Sequence, residues 1–412
     1  MTNSEYVPKR RFKEFESNGE WVKRKLTDFI ELFSGLTYSP NDVRKSGTLV
    51  LRSSNIKNGE IVDADNVFVT PAKATSENVK PGDIIVVVRN GSRSLIGKHA
   101  RVKCEKPNTV IGAFMAGMHT EHSLFVNALL DTPKFGEEIE KNMGATINQI
   151  TGTMFSEMEF IIPDELEQDI IGEFFQTIDS LLSIHQHKLD KLKNLKKAYL
   201  SEMFPAGGER VPKRRFPGFE GEWEQMLLGK IGKAQSGIGF PDSEQGGKVG
   251  IPFYKVSDMN NNGNEHEMVF ANNYVTLEQM SQRGWKAIHD VPAIFFAKVG
   301  AAVLLNRKRL CRVPFLMDNN TMAFSLDTSK VDTNFAKTMF ETVDLTSLVQ
   351  IGALPSYNTR DVESISVLVP ATKEQKQIGD FFHKLDNSIS LQQQKLDKLN
   401  DLKKAYLNEL FV

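Results

Sequence analysis

The sequence predicts an α+β protein built from two β-rich globular parts, each followed by a long helix. A repeat is the first observation behind this prediction. The segment "KLDKLKNLKKAYLSEMF", which starts at Lys188, returns as "KLDKLNDLKKAYLNELF" at Lys395, and thirteen of its seventeen residues are identical. Shorter matches keep the same order in both halves, such as "VPKRRF" at Val7 and Val211. The helix segment is displaced by 207 positions in a chain of 412 residues and "VPKRRF" by 204, and these similar displacements in the same order indicate an internal duplication.

The globular parts are predicted to be rich in short buried strands. "DIIVVV" (Asp83 to Val88) and "AIFFA" (Ala293 to Ala297) are apolar runs preceded by Gly or Pro, which is the pattern of buried strands. Asn58-Gly59 is a typical hairpin turn between two further strands. The segment after Pro133 has the pattern of a short helix.

Two long helices are predicted where the repeat is strongest. Pro163 and Pro370 precede them, and a helix from Asp164 to Met203 would be about 60 Å long at 1.5 Å per residue. Apolar residues alternate at spacings of three and four, the pattern of a coiled-coil seam. The predicted seam residues are Ile171, Phe175, Ile178, Leu182, Leu189, Leu192, Tyr199, Ile378, Phe382, Leu385, Ile389, Leu396, Leu399 and Tyr406. Since each helix needs a partner for its apolar side, we expect the two copies to pack antiparallel, with an approximate two-fold axis relating the halves.

The repeat divides the chain into four predicted parts. Residues 1–163 and 206–370 form the globular domains, and residues 164–205 and 371–412 form the helices. His185 and Gln392 occupy equivalent seam positions. They are interpreted either as a polar layer that fixes the register or as two partly exposed polar residues.

Composition places the chain among cytoplasmic globular proteins. Apolar residues make up 40% and charged residues 25%, and no apolar run is long enough to cross a membrane. Two cysteines, Cys104 and Cys311, are too few for a disulfide framework, which favours a reducing compartment. Because the formal net charge is −1, a nucleic-acid-binding surface would have to be local or shared with a partner.

No motif in the sequence predicts catalysis, a metal site or a bound cofactor. "GSRSLIGKH" (Gly91 to His99) resembles a phosphate-binding loop, but it has five residues between its glycines and no Ser or Thr after Lys98. His and Cys are not clustered at metal-ligand spacing, and no Asp/Asn-Pro-Pro-aromatic motif of amino-methylating enzymes occurs. The sequence therefore indicates a binding protein.

Basic and amide residues collect at matching places in the two halves. They follow the "IIVVV" strand from Arg89 to Lys103 and the "AIFFA" strand from Lys298 to Arg312. Such residues read base edges and hold phosphates, although a basic cluster alone is more often a solvated surface. Their occurrence in both halves favours DNA binding.

The duplicated pattern resembles the specificity subunits of Type I restriction–modification enzymes over the whole chain. The resemblance rests on "KLDKLKNLKKAYL", "RFPGFEGEW" and "IPFYKVSDM", and on a Pro…Glu-Gln entry to each helix. That entry comprises Pro163, Glu167, Gln168, Pro370, Glu374 and Gln375.

The resemblance implies a non-catalytic subunit in the bacterial cytoplasm that recognises a bipartite, asymmetric sequence in double-stranded DNA. Each globular region would be a target-recognition domain, and the helices would set the separation of the half-sites. Two modification subunits would carry S-adenosylmethionine and methylate adenine. Two restriction/translocase subunits would use ATP and magnesium. No cofactor is expected in this chain itself.

On this interpretation, candidate base-reading residues lie on the polar loops of both globular regions. In the first region they are Arg52, Ser54, Asn55, Arg89, Asn90, Arg93 and Asn148. In the second they are Lys255, Ser257, Asp258, Lys298, Arg307, Asn319, Asn320, Tyr357 and Arg360. Asn and Arg can make bidentate contacts with adenine and guanine. For Asn55, Asp258 and the serines, a role in capping or in a turn is an equal alternative.

Two other functions remain open at this point. One is a coiled-coil scaffold with no DNA role, although a scaffold gives no reason for repeated basic loops. The other is a self-sufficient DNA methyltransferase, which the missing cofactor and base-holding motifs disfavour.

Overall fold

A computed structural model describes residues 6–143, 148–349 and 355–412. The chain divides into two compact units. The first extends to His185 and also contains Lys395–Val412, and the second is Gln186–Gln394. In the described part of the chain, no helix is long and apolar enough to cross a membrane.

The first unit combines short strands with short helices. Its strands are β1 (Val22–Lys25), β2 (Glu31–Ser34), β3 (Val43–Arg44), β4 (Thr48–Leu51), β5 (Ile56–Lys57), β6 (Glu60–Ile61), β7 (Val67–Val69), β8 (Ile84–Val87), β9 (His99–Arg101), β10 (Thr109–Ile111), β11 (Met115–His119) and β12 (Glu159–Ile162). Its helices are α1 (Ser123–Leu130), α2 (Pro133–Asn142), α3 (Gly152–Glu157) and the first part of α4 (Glu165–Met203).

The main sheet of the first unit has the antiparallel order β2-β11-β8-β9. All four residues of β8 are buried, as expected for an apolar strand in the middle of a covered sheet. A second sheet, β10-β4-β7-β3, contains the parallel pair β10 and β4. Asn58 and Gly59 both have positive φ, 52° and 72°, between the paired strands β5 and β6. The predicted hairpin turn is therefore confirmed.

The second unit repeats this arrangement. Its strands are β13 (Glu224–Leu227), β14 (Gly232–Ser236), β15 (Ile251–Tyr254), β16 (Tyr274–Val275), β17 (Ala293–Ala297), β18 (Lys308–Cys311), β19 (Leu316–Met317), β20 (Thr321–Leu326) and β21 (Ser366–Val369). Its short helices are α5 (Leu277–Arg283), α6 (Thr333–Thr342) and α7 (Thr359–Glu363), and it also contains the end of α4 and the first part of α8 (Thr372–Leu410). The sheet β14-β20-β17-β18 corresponds to the main sheet of the first unit, strand by strand and with the same antiparallel pairing.

Both long helices begin in the same way. Pro163 precedes α4, and the side chain of Gln168 donates a hydrogen bond to the Pro163 carbonyl at 2.9 Å. Asp164 accepts the amide of Glu167 at 3.0 Å. At α8, Gln375 donates to the Pro370 carbonyl at 2.9 Å. The Pro…Glu-Gln entry thus stops the preceding strand and supplies a side chain that satisfies a carbonyl beside the helix start.

Within each unit, the start of one long helix packs on the end of the other. In the first unit, the ring of Phe174 on α4 lies 4.9 Å from that of Tyr406 on α8, centroid to centroid. In the second, Tyr199 near the end of α4 lies 5.0 Å from Phe381 near the start of α8. The helices are therefore antiparallel, and the predicted fold class is confirmed. All fourteen predicted seam residues are buried or half-buried.

Glycines allow a close approach between the long helices and the short ones. A Cβ placed on Gly172 of α4 would lie 2.7 Å from the backbone nitrogen of Phe125 in α1. A Cβ on Gly379 of α8 would lie 2.6 Å from the backbone nitrogen of Phe335 in α6. Each unit thus uses one glycine to bring a short helix against its long helix.

Candidate nucleic-acid interface

In both units, the two backbone amides that follow one central strand of the main sheet donate to the carbonyl that precedes the other central strand. In the first unit, the amides of Val88 and Arg89 donate to the carbonyl of Phe114 at 3.0 and 3.2 Å. In the second, the amides of Lys298 and Val299 donate to the carbonyl of Asn320 at 2.8 and 3.2 Å. Phe114 and Asn320 therefore occupy the same backbone position, directly before β11 and β20.

Three polar segments meet beside this turn in the first unit. The side chain of Asn90 donates to the Ser53 hydroxyl at 3.2 Å, and the backbone amide of Asn90 donates to the backbone carbonyl of Asn148 at 3.3 Å. The side chain of Asn148 donates to the Gly91 carbonyl at 3.1 Å. Ser54 is exposed next to Ser53. Residues predicted from distant parts of the sequence thus form one polar surface.

The three predicted arginines of the first unit differ in their contacts. Arg52 pairs with Asp65 at 2.6 Å. Arg93 pairs with Glu140, and both side chains are substantially exposed. Arg89 has no carboxylate within ion-pair distance among the contacts of the described residues; its guanidinium lies 5.1 Å from the centre of the Phe114 ring. Arg89 is therefore the arginine whose charge is left available for a ligand.

The corresponding surface of the second unit carries different side chains. Asn319 and Asn320 are exposed, and Lys298 lies beside them with its ammonium 3.4 Å from the Ser236 hydroxyl. Arg307 donates to the side chain of Asn260 at 2.6 Å. These contacts bring Arg307 to the end of the Val256–Asn260 turn.

The remaining predicted residues of the second unit lie on neighbouring segments. Ser257 is exposed within the Val256–Asn260 turn. Lys255 donates to the side chain of Gln245 at 3.1 Å. Arg360 is exposed in α7. These three residues therefore stay predicted ligand contacts.

Three predicted site residues are instead part of the framework. Asn55 and Asp258 are fully buried and cap equivalent turns, accepting the backbone amides of Arg52 (2.9 Å) and Lys255 (2.6 Å). The buried Tyr357 donates its hydroxyl to the carbonyl of Ala297, and burial raises its pKa. A buried side chain whose hydrogen bonds hold a turn cannot reach a base without opening that turn, so these three residues are not expected to contact DNA bases.

Burial also removes part of the second basic cluster. Lys308 is 8% exposed and donates to the carbonyl of Val343 and to the side chain of Asn306. Burial lowers the pKa of Lys308 to about 8. Burial likewise lowers the pKa of Arg309. Both side chains support the loop that carries Arg307.

An ion pair connects the chain upstream of each main sheet to a long helix. In the first unit, Arg11 donates two hydrogen bonds to Glu167, at 2.8 and 2.6 Å, and the indole of Trp21 donates to the same carboxylate at 3.2 Å. In the second, Arg215 makes the same two-pronged contact with Glu374, at 2.6 and 2.7 Å. These pairs explain why the repeated "VPKRRF" and Pro…Glu-Gln motifs occur together.

Among the described residues, one group of three side chains has the spacing of a metal site. Ligand atoms of His266, Glu341 and Asp386 lie within 4.8 Å of one another. However, Lys196 and Lys337 pair with both carboxylates. Burial alone would raise the pKa of Asp386, but Lys337 and Lys196 outweigh it and hold this pKa below its usual value. Two cations in place already neutralise both carboxylates, so these residues form an ion-pair network and do not fit a metal ion.

Sequence reasoning missed Phe114. It is 55% exposed, and the Arg89 guanidinium lies over its ring. Its type suggests a core residue, whereas its place in the turn that begins at Gly112 is the signal that would have drawn attention to it.

Comparison with known proteins identifies the family. A family model described as "Type I restriction modification DNA specificity domain" matches residues 18–194 and 220–401. The chain is 26% identical over 197 residues to the Type I restriction enzyme StySPI specificity subunit of Salmonella potsdam, covering 45% of this chain and 42% of that protein. It is 23% identical over 260 residues to the Type I restriction enzyme EcoKI specificity subunit of Escherichia coli (strain K12), covering 58% of this chain and 54% of that protein. The matches thus span about half the length of these curated relatives.

The fold also has a counterpart among solved structures. The S subunit of a Type I restriction–modification system from M. genitalium superposes with a TM-score of 0.70 at 16% identity, covering 98% of this chain and 99% of that one. At this identity the likeness concerns the fold. Since the family model matches both halves of the sequence, the chain belongs to the family of Type I restriction modification DNA specificity domains.

Proposed function

We propose that this chain is a non-catalytic specificity subunit that recognises a bipartite, asymmetric DNA sequence. One observation carries the proposal: the two units place different side chains on the same backbone framework. Arg89 and Phe114 in the first unit correspond to Val299 and Asn320 in the second. Two similar scaffolds with different reading residues suit two half-sites of different sequence.

The proposed reading surface of the first unit comprises Ser54, Arg89 and Asn90 with Asn148. That of the second comprises Lys298, Asn319, Asn320 and Arg307, with Lys255, Ser257 and Arg360 at its margin. Amides and guanidinium groups supply the paired hydrogen bonds that distinguish adenine and guanine in the major groove. Because Arg52 and Arg93 have carboxylate partners, we assign them to phosphate contacts that would require exchange of those partners.

The two long helices are the proposed spacer between the half-sites. Each helix contributes to both units, since the units divide at His185 in α4 and at Lys395 in α8. A helix is a stiff element with a fixed rise per residue. The number of unspecified base pairs between the half-sites would therefore depend on helix length.

Repeated exposed apolar residues on the helices support docking of modification subunits. Ile184 and Leu402 are exposed in the first unit, and Leu391 and Leu195, the matching positions of the repeat, are exposed in the second. Apolar side chains exposed at equivalent places indicate the same contact made twice. We assign them to two modification subunits, which would supply the S-adenosylmethionine chemistry, while restriction/translocase subunits would use ATP and magnesium.

The test is methylation mapping. The chain and its modification subunit are expressed in a methylation-free host, and methylated adenines are located by single-molecule sequencing. We expect a split motif with two different halves and a constant gap. A chain whose residues 13–160 are exchanged for those of a relative should change one half only, and a change in both halves would contradict the assignment of one half-site to each unit.

DNA titration separates this proposal from a scaffold without a DNA role. Binding through phosphates weakens steeply as salt is raised, because bound counterions are released from the DNA. A soluble complex of both proteins that neither methylates DNA nor binds it in a salt-dependent way would favour the scaffold.

A further inference from the structure

The geometry points to Phe114 as a specificity residue that contacts the 5-methyl group of a thymine in the half-site of the first unit. This inference rests on the proposed function and adds the chemical group that one side chain recognises. It begins from the exposure of Phe114, because phenylalanine is among the residue types most often buried. Phe114 is 55% exposed, and the Arg89 guanidinium lies over its ring.

The backbone holds Phe114 in place without a ligand. Its carbonyl accepts two amides, and the amide of the next residue, Met115, donates to the Gly112 carbonyl at 2.8 Å. The amides of Gly112 and Ala113 donate to the carbonyls of Leu51 and Leu36, each at 2.9 Å. The backbone of so tightly bonded a turn is pre-organised, so little backbone conformational entropy is lost when a ligand contacts Phe114.

Arg89 limits what the ring can contact. Its guanidinium covers the ring at 5.1 Å from the centroid. Insertion between two base pairs requires both faces of a ring to be free, and the arginine occupies one of them. The remaining apolar surface can contact a group at the edge of a base pair.

The chemistry of the major groove then selects the target. Base edges there present hydrogen-bond donors and acceptors, and the one apolar group among them is the 5-methyl group of thymine. A phenyl ring gains nothing from a phosphate or a carbonyl, whereas it gains from excluding water around a methyl group. The adjacent guanidinium of Arg89 would donate to a neighbouring phosphate or guanine.

The second unit supplies an internal comparison. At the backbone position of Phe114 it carries Asn320, whose amide suits adenine and has no apolar surface to offer a methyl group. We therefore expect sensitivity to the thymine methyl group at this contact in the first half-site only.

The experiment uses the complex of this chain with its modification subunit and a duplex that contains the mapped target. Each thymine of the first half-site is replaced in turn by uracil, which differs only in lacking the methyl group. We expect one position at which uracil weakens binding by about four-fold, the value of one buried methyl group. The Phe114→Ala complex should bind the duplexes with thymine and with uracil at that position equally well. The Phe114→Leu complex should keep part of the difference in affinity between the two duplexes.

Val22→Ala is the matched control, because Val22 is similarly exposed (57%) in the same unit but lies on the β1 edge pair. It should discriminate thymine from uracil as the wild type does. The inference is overturned if no thymine in the first half-site shows the effect, if that half-site contains no A·T pair, or if Phe114→Ala still discriminates. A wild-type complex that binds no split target would instead refute the proposed function.

Discussion

Gly172 provides a test of how closely the long helix α4 approaches α1. Replacing Gly172 with alanine adds one methyl group at a position where the nearest atoms are the Phe125 nitrogen at 2.7 Å and the Leu124 Cβ at 2.8 Å. Real Cβ atoms do not approach other atoms this closely. Since one contact is with backbone, α1 has to move as a whole.

Two effects of opposite sign determine the result. Alanine stabilises the interior of a helix by about 1 kcal/mol relative to glycine. Inserting a methyl group into a well-packed contact costs about 1–3 kcal/mol. Because the backbone of α1 cannot turn aside as a side chain can, we expect the second effect to dominate and the free energy of unfolding to fall, by up to about 2 kcal/mol.

Gly136 is the matched control. It lies exposed within α2 of the same unit, and a Cβ there would meet no atom within 4 Å. Gly136→Ala should therefore raise the free energy of unfolding by about 0.5–1 kcal/mol.

Urea denaturation of the full chain measures the stability of both variants, and hydrogen exchange of the α1 amides shows where it changes. Gly379→Ala should produce the corresponding loss of protection in α6 of the second unit, where the approach is 2.6 Å. If Gly172→Ala stabilised the chain as much as Gly136→Ala, the close approach of α1 to α4 would be refuted.

Two further predictions concern charged groups. Arg215→Met would leave the Glu374 carboxylate buried without its cation, so we expect the free energy of unfolding, measured by urea denaturation, to fall by about 3–5 kcal/mol. Adding Glu374→Met should largely restore it, because no unpaired charge is then buried. A double variant as unstable as the single one would contradict this. Burial lowers the pKa of His119, but Asp83 at 2.7 Å and Glu77 outweigh it and raise this pKa above its usual value. The folded chain then favours the imidazolium. The contribution of His119 to the free energy of unfolding is therefore fully present below about pH 6.5 and is lost as the pH rises through the raised pKa. The stability difference between wild type and His119→Gln should shrink accordingly between pH 6 and pH 9, and a difference that did not vary with pH would argue against the ion pair.

Features that depend on neighbouring residues were predictable from the sequence. The strands at "DIIVVV" and "AIFFA", the helix after Pro133 and the starts of both long helices follow from local periodicity and from proline placement. The duplication also predicted that the two units would share a framework. Each of these local patterns predicts the same secondary structure whatever the element later packs against.

Features that depend on distant residues were not predictable. Asn55 looks like a ligand-binding amide, and its burial depends on a hydrogen bond to the Ala64 carbonyl across the following hairpin. Arg11 and Glu167 are 156 positions apart, so no local pattern indicates their pairing. The exposure of Phe114 likewise follows from the turn on which it lies, because its residue type indicates burial.

The contribution of α8 to the first unit has a consequence for synthesis on the ribosome. Leu407, Leu410 and Phe411 belong to the core that contains Phe125 and Phe175, and Phe411 contacts both of these rings. The whole of residues 186–394 is translated between the two parts of this core. At about 5–20 residues per second, the nascent first unit leaves these rings without their partner for on the order of ten seconds or more. During that interval the ribosome carries a domain with an open apolar groove, which is the kind of surface that chaperones bind.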